Sequence, residues 1–166
     1  MVLVLIGVSG SGKTTVGQLL AHGLDWKFYE GDDYHPEANR QKMSEGLALN
    51  DADRAPWLDA IRALIRSILD RNENAVISCS ALKQAYRDLL AMDGGQFVYL
   101  KGERWLIAAR IRNRKGHFFD PGLLTSQFHI LDEPHDALVV DASESPATIV
   151  REIERRLDLK NGSNDG

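Results

Sequence analysis

The sequence predicts an α/β fold in which five parallel strands form one sheet with helices on both faces. Three observations predict it. Short β-branched runs alternate with segments of helical periodicity. The connections between those runs are long enough for the crossover helices that parallel neighbours require. The first run, VLVLI at 2–6, is apolar at every position, as expected of a strand covered on both faces.

The elements follow in order. Residues 2–6 form the first strand and end at a glycine, and 13–22 form the helix after it. A weaker second strand at 27–30 runs into GDDYHP (31–36), a polar turn at a strand's carboxyl end. Trp57, Ile61, Leu64, Ile65, Ile68 and Leu69 recur at helical spacing with charged residues between them, and Pro56 suits the first turn of that helix. AVISCS (75–80) is a third, buried strand, 82–92 a helix, and QFVYLK (96–101) a fourth strand. Residues 105–114 read as helix, 115–120 as loop and 122–131 as a short second helix, together a helical lid over about 105–131. Residues 137–140 complete the strands, and Ser145 before Pro146 opens a last helix that runs to about 159. A single domain over 1–160 follows, with NGSNDG (161–166) as a disordered tail.

Composition narrows the class. A chain of 166 residues, 43% of them hydrophobic, buries one core and has little left for a second. The single cysteine, Cys79, allows no internal disulfide and no zinc cluster, which suits a reducing compartment. The apolar residues at the start are too few for a membrane span and have no basic region before them. A cytoplasmic location without a membrane partner is therefore expected. A net charge of −4 and a pI near 5.7 argue against a nucleic-acid partner, so an anionic ligand must be caught locally.

The local trap is GVSGSGKT (7–14), which fits GxxxxGK(S/T) and lies between a strand and a helix, the context the motif needs. Gly7, Gly10 and Gly12 let the backbone curl, so that amides from Ser9 through Ser11 and the helix N-terminus point at phosphate oxygens. Lys13 adds a formal charge for the β- and γ-phosphates of ATP, and the Thr14 hydroxyl is suited to ligate Mg²⁺ bridging them. Thr15 either backs up the phosphate contacts or is an ordinary helix-start residue.

Asp32 and Asp33 follow the second strand, at the sheet edge where open α/β folds bind ligands. One of them, with Asp32 favoured, can accept the proton of an attacking hydroxyl; the alternative is a pair of solvated turn carboxylates. His35 suits a ligand hydroxyl or a plain surface turn. Arg54 suits bidentate grip on a carboxylate or an ion pair with Asp51 or Asp53. Lys83 near a helix start is poorly placed for the helix dipole, which a ligand role would explain as well as simple exposure does. The third strand ends in Ser78-Cys79-Ser80 with no carboxylate, so a metal would rely on Thr14, water and Asp32. Arg110 and Arg114 share a helical face, where they could approach one polyphosphate and help exclude water, while Arg112 points elsewhere; the alternative is a solvated basic face. Phe118 and Phe119 suit hinge packing as well as ligand contact.

These residues resemble gluconokinase, of the small P-loop kinase type related in architecture to shikimate and adenylate kinases. The resemblance spans nearly the whole chain: GVSGSGKTT (7–15), GDDYHP (31–36), LNDADRAPWL (49–58), SCSALKQAYRDLL (78–90), RNRKGHFF (112–119) and LLTSQFHILDEP (123–134). Only the first string is generic. The resemblance implies a P-loop kinase fold and transfer from ATP, with Mg²⁺, to D-gluconate, giving 6-phospho-D-gluconate in a homodimer. It carries the phosphate loop to Gly7 through Thr14, the acceptor region to Asp32, His35, Arg54 and Lys83, and the lid to Arg110 and Arg114. Gln127, in the SQF string, is an unexplained polar position that could face the site. The alternatives are a kinase of another hydroxylated acid, such as shikimate, and an ATP-binding regulatory module that transfers nothing.

Overall fold

A computed structural model describes residues 1–114 and 121–159. The loop expected at 115–120 and the tail expected at 161–166 lie outside the described residues. β1 (Val2–Ile6) is the middle strand of a five-stranded sheet, flanked by β3 (Ala75–Ser78) and β4 (Gly95–Lys101). β2 (Lys27–Glu30) lies outside β3 and β5 (Leu138–Asp141) outside β4, giving the order β2-β3-β1-β4-β5 with every pairing parallel.

The central position of β1 explains its unbroken apolar run. Leu3 and Leu5 face α1 (Lys13–Leu24) and α7 (Pro146–Arg156), packing with Val16, Leu20, Ile149 and Ile153. Val2, Val4 and Ile6 face α3 (Asp51–Asp70) and α4 (Gln84–Leu90), packing with Trp57, Ile61, Ile65 and Leu90. The chain leaves β1 toward β2 on one side and later returns to β4 on the other. The carboxyl end of β1, where the glycine-rich loop begins, is thus a topological switch point, where such sheets bind ligands.

Several boundaries differ from the sequence expectation. α3 begins six residues before Trp57, because Asn50 and Asp53 form a reciprocal capping box: Asp53 N–H donates to Asn50 Oδ1 at 2.8 Å and Asn50 N–H to Asp53 Oδ2 at 3.0 Å. Pro56 therefore sits inside the helix rather than at its first position, on an exposed face shared with Ala52, where water can serve the carbonyl left without a donor. α2 (Glu37–Ser44) had no sequence signal because only Asn39 of its eight residues is buried, so it shows no apolar stripe. β3 stops at Ser78 and α4 starts at Gln84, not 82. Between them Ala81 takes a positive φ of 39°, and the buried Arg87 guanidinium donates to the carbonyls of Ala81, Leu82 and Asp132 at 2.8, 2.9 and 2.8 Å. α7 ends at Arg156.

The lid helices α5 (Arg104–Asn113) and α6 (Pro121–Ile130) pack over the glycine-rich loop through Ile107, Leu124, Ile111 and Phe128, which meet Val8 and Leu82. A Cβ at Gly10, whose φ is +81°, would stand 2.9 Å from Ile111 Cγ1, so glycine there serves both the turn and the close seat of α5. No helix among the described residues is long and apolar enough to cross a membrane.

Candidate active site

The glycine-rich loop, the turn after β2, the start of α3 and both lid helices enclose a cleft of about 600 Å³. Ser9, Gly10, Lys13, Thr14, Asp32, His35, Arg54 and Arg114 all line it. A second hollow of about 410 Å³ lies on the other side of the loop, lined by Ser11, Gly12, Thr15, Arg110 and Arg114 among others. Arg114 and Gly10 border both.

The loop has the backbone its glycines permit, and Lys13 folds back over it. Its ammonium donates to the carbonyls of Gly7 and Val8, each at 2.9 Å. Burial lowers the Lys13 pKa from its ordinary value, while Asp32 and Glu30 nearby oppose that shift. Ser11 turns its hydroxyl inward beneath Gly7, where it is buried without a hydrogen-bond partner, so only its backbone can face a ligand. Arg110 donates to the Ala142 carbonyl at 2.5 Å and reaches the Ser11 carbonyl at 3.5 Å, tying α5 to the loop and to the turn after β5.

Glu30 is the functional candidate that sequence reasoning missed. At the last position of β2, its carboxylate accepts from Thr14 Oγ1 and from Ser78 Oγ, both at 2.5 Å. The acid absent from the end of β3 is thus supplied by the neighbouring strand, in register with Ser78. The pairing needs the strands close: a Cβ at Gly31 would lie 2.0 Å from the Ser78 carbonyl oxygen. A carboxylate and a hydroxyl are the hard oxygen donors that Mg²⁺ takes alongside water and substrate phosphates, so this pair fits that ion without a dedicated cage. The signal in the sequence was a glutamate ending a strand beside the phosphate loop.

Asp32 opens into the cleft and Asp33 does not line it; the Asp33 backbone carbonyl instead accepts from Arg40 at 2.6 Å. Desolvation raises the Asp32 pKa above its ordinary value, and the nearby Lys13 charge opposes this. His35 is buried and stacked on Trp57, with ring centroids 4.3 Å apart and planes 14° from parallel. Trp57 is itself fixed by its indole N–H, which donates to the Gly31 carbonyl at 2.9 Å. Asn39 Nδ2 lies 3.2 Å from His35 Nδ1 and donates to the Asp53 carbonyl at 2.7 Å. With the Asn39 amide donating, Nδ1 is the acceptor and the ring proton sits on Nε2. His35 thereby becomes a neutral N–H donor beside the cleft.

Burial, with Arg54 and Arg40 nearby, holds the His35 pKa down at about 4. The unfolded chain takes up this proton near pH 6.5 and the folded one only near 4, so stability contributed by the neutral ring is present at pH 7 and is lost as pH falls through that window. Urea denaturation should show up to about 2 kcal/mol of this loss between pH 7 and pH 5. His35→Gln should remove that part of the slope; an unchanged slope would show that the ring does not titrate this way.

Arg54 lines the cleft, donates to the Tyr86 hydroxyl at 3.1 Å and sits over that ring. Neither Asp51 nor Asp53 takes it as an ion-pair partner. Asp53 pairs with Lys42 at 2.9 Å, and Asp51 accepts from the Tyr86 hydroxyl and from Lys83 at 2.8 Å. Lys83, expected at the acceptor, is not among the cleft-lining residues: it stands just before α4, and its ammonium reaches across to Asp51 at the start of α3. One wall of the cleft, from Asp32 through His35, Met43, Leu49 and Arg54 to Trp57, comes from one continuous stretch of chain.

A family model described as shikimate kinase matches residues 9–158. A probable gluconokinase of Rattus norvegicus is 46% identical over 153 residues, covering 80% of this chain and 83% of the relative. The thermoresistant gluconokinase of Escherichia coli K12 is 45% identical over 149 residues, covering 86% and 85%. Among solved structures, a gluconokinase from Sinorhizobium meliloti 1021 superposes with a TM-score of 0.85 at 44% identity, over 94% of this chain and 90% of that one.

Proposed function

The chain belongs to the gluconokinases, within the family of shikimate kinase-like P-loop enzymes, and from that premise we propose how its cleft works. It phosphorylates D-gluconate with ATP to give 6-phospho-D-gluconate and ADP. One observation carries the mechanism: a single cleft is lined by the phosphate-loop residues Lys13 and Thr14 and by the acceptor residues Asp32, His35 and Arg54. ATP lies along the loop, its nucleoside toward the hollow bordered by Thr15 and Arg110 and its γ-phosphate toward Lys13 and Arg114.

Arg54 takes the gluconate carboxylate and the His35 Nε2–H one of its hydroxyls. The bond from the γ-phosphorus to its bridging oxygen breaks with the electron pair leaving on ADP. The C6 hydroxyl oxygen forms the new bond, and its proton passes to Asp32. Lys13 and Arg114 meet the charge on the migrating group. Mg²⁺, when bound by Thr14 and Glu30 with water, neutralises phosphate charge. The resemblance also gives a homodimer as the working assembly, which light scattering would read as twice 18.5 kDa, and the composition suits a cytoplasmic location.

The test is a panel of acceptors with coupled ADP detection. Gluconate should raise ADP release far above background, while shikimate and nucleotide acceptors leave it there; a flat response to gluconate would overturn the assignment. In the same assay Glu30→Gln should need about tenfold more Mg²⁺ for half-maximal rate, the usual scale for a group that supports a metal site. An unchanged Mg²⁺ requirement would remove Glu30 from that role.

A further inference from the structure

One side chain of α6 clasps the phosphate loop at two points. Ser9 N–H donates to Gln127 Oε1 at 2.7 Å, and Gln127 Nε2 donates to Ser9 Oγ at 3.0 Å. The carboxamide thus spends its oxygen and its nitrogen on a single residue 118 positions away. Beside this clasp α6 packs Leu124 and Phe128 against Val8 and Ile107, and Thr125 accepts from Arg104 of α5 at 2.5 Å. Apolar contact is non-directional and would allow α6 to slide over the loop. A two-point hydrogen bond fixes both separation and rotation. Ser9 and Gln127 both line the main cleft, with Lys13 and Arg114, so the clasp stands at the edge of the space where phosphoryl transfer takes place.

We propose that Gln127 is a positioning residue for phosphoryl transfer, joining lid helix α6 to the crest of the phosphate loop so that the γ-phosphoryl group meets the gluconate hydroxyl and not water. This rests on the assignment of the cleft as a gluconate kinase site. In the productive step the γ-phosphorus bond to the ADP oxygen breaks, a bond to the gluconate oxygen forms, and the hydroxyl proton goes to Asp32. In the wasteful step a water oxygen takes the place of gluconate and inorganic phosphate leaves. The same bond breaks in both, so closure of the lid decides which oxygen stands in line.

Gln127→Met keeps the length and apolar stem of the side chain while removing both hydrogen bonds. Its kcat for gluconate phosphorylation should fall about tenfold, the scale of losing paired hydrogen bonds, with KM for gluconate within about twofold. Inorganic phosphate released per 6-phosphogluconate formed should rise about tenfold. Ser9→Ala, which removes only the hydroxyl leg, should move the same ratio less, and adding it to Gln127→Met should change little further. An unchanged ratio of phosphate to product overturns the proposal, as does a raised KM at intact kcat, which would make Gln127 a direct gluconate ligand. Fully additive effects of the two substitutions also overturn it. The wild type is measured first: if it forms no product from gluconate, the site assignment itself fails, which is a different result from any variant's.

Discussion

Lys13→Ala is expected to lower gluconate-dependent ADP release by about a thousandfold or more, the scale of removing a preorganised charge from a transfer site. The structure supplies the reason for so large a loss. The ammonium is held in place before any ligand arrives, by the carbonyls of Gly7 and Val8, so no rearrangement is needed when negative charge builds on the migrating group. Its partial desolvation, visible in its lowered pKa, strengthens every interaction it makes. Lys13→Arg should fail nearly as badly, because a planar guanidinium cannot repeat the compact two-carbonyl seat. Steady-state rates under saturating ATP and gluconate check both variants. Retention of more than about a tenth of the wild-type rate by Lys13→Ala would remove this residue from the catalytic machinery.

Asp32→Asn should reduce kcat by about a hundredfold to ten-thousandfold, as loss of a general base does, while ATP affinity changes by only a few-fold. Asp33→Asn is the matched control and should leave kcat nearly intact, since Asp33 does not line the cleft. The pH profile offers a second check. Desolvation raises the Asp32 carboxyl above its ordinary 3.8, so the base is lost to protonation earlier as pH falls. The acid limb of kcat/KM should therefore be shifted upward from that of an ordinary aspartate and disappear in Asp32→Asn. Equal losses in the Asp32 and Asp33 variants would mean that neither carboxylate takes the proton specifically.

Much of this arrangement was legible in the chain. The run 2–6, the glycine pattern 7–14 and the periodicity after Trp57 each report burial or backbone geometry directly, and burial is what sequence patterns record best. Glu30 escaped because its role depends on which strand lies beside which: only the pairing of β2 with β3 brings it to Ser78 and Thr14. Asn39 escaped for a related reason, since a polar helix with one inward residue has no stripe to detect. Lys83 drew attention by its poor placement for the helix dipole, and the structure gives it a partner that the sequence did not show: the 20-residue α3 begins at Asp51, whose carboxylate pairs with it. Gln127 had no assignable role until α6 was seen to rest on the loop.

The cleft wall drawn from one stretch, residues 31–57, bears on how such an enzyme can change over generations. On the proposed reading, the residues that would meet the acceptor are contiguous in the gene, with the phosphate loop before them, at 7–15, and the lid after them, while Asp32, the proposed proton acceptor, lies inside the stretch itself. A lineage that keeps Asp32 can therefore exchange the rest of that short passage, by substitution or recombination, and meet a new hydroxylated acid while inheriting the phosphate loop and lid intact. Specificity and chemistry then become separable traits within one small domain, Asp32 being the residue that belongs to both.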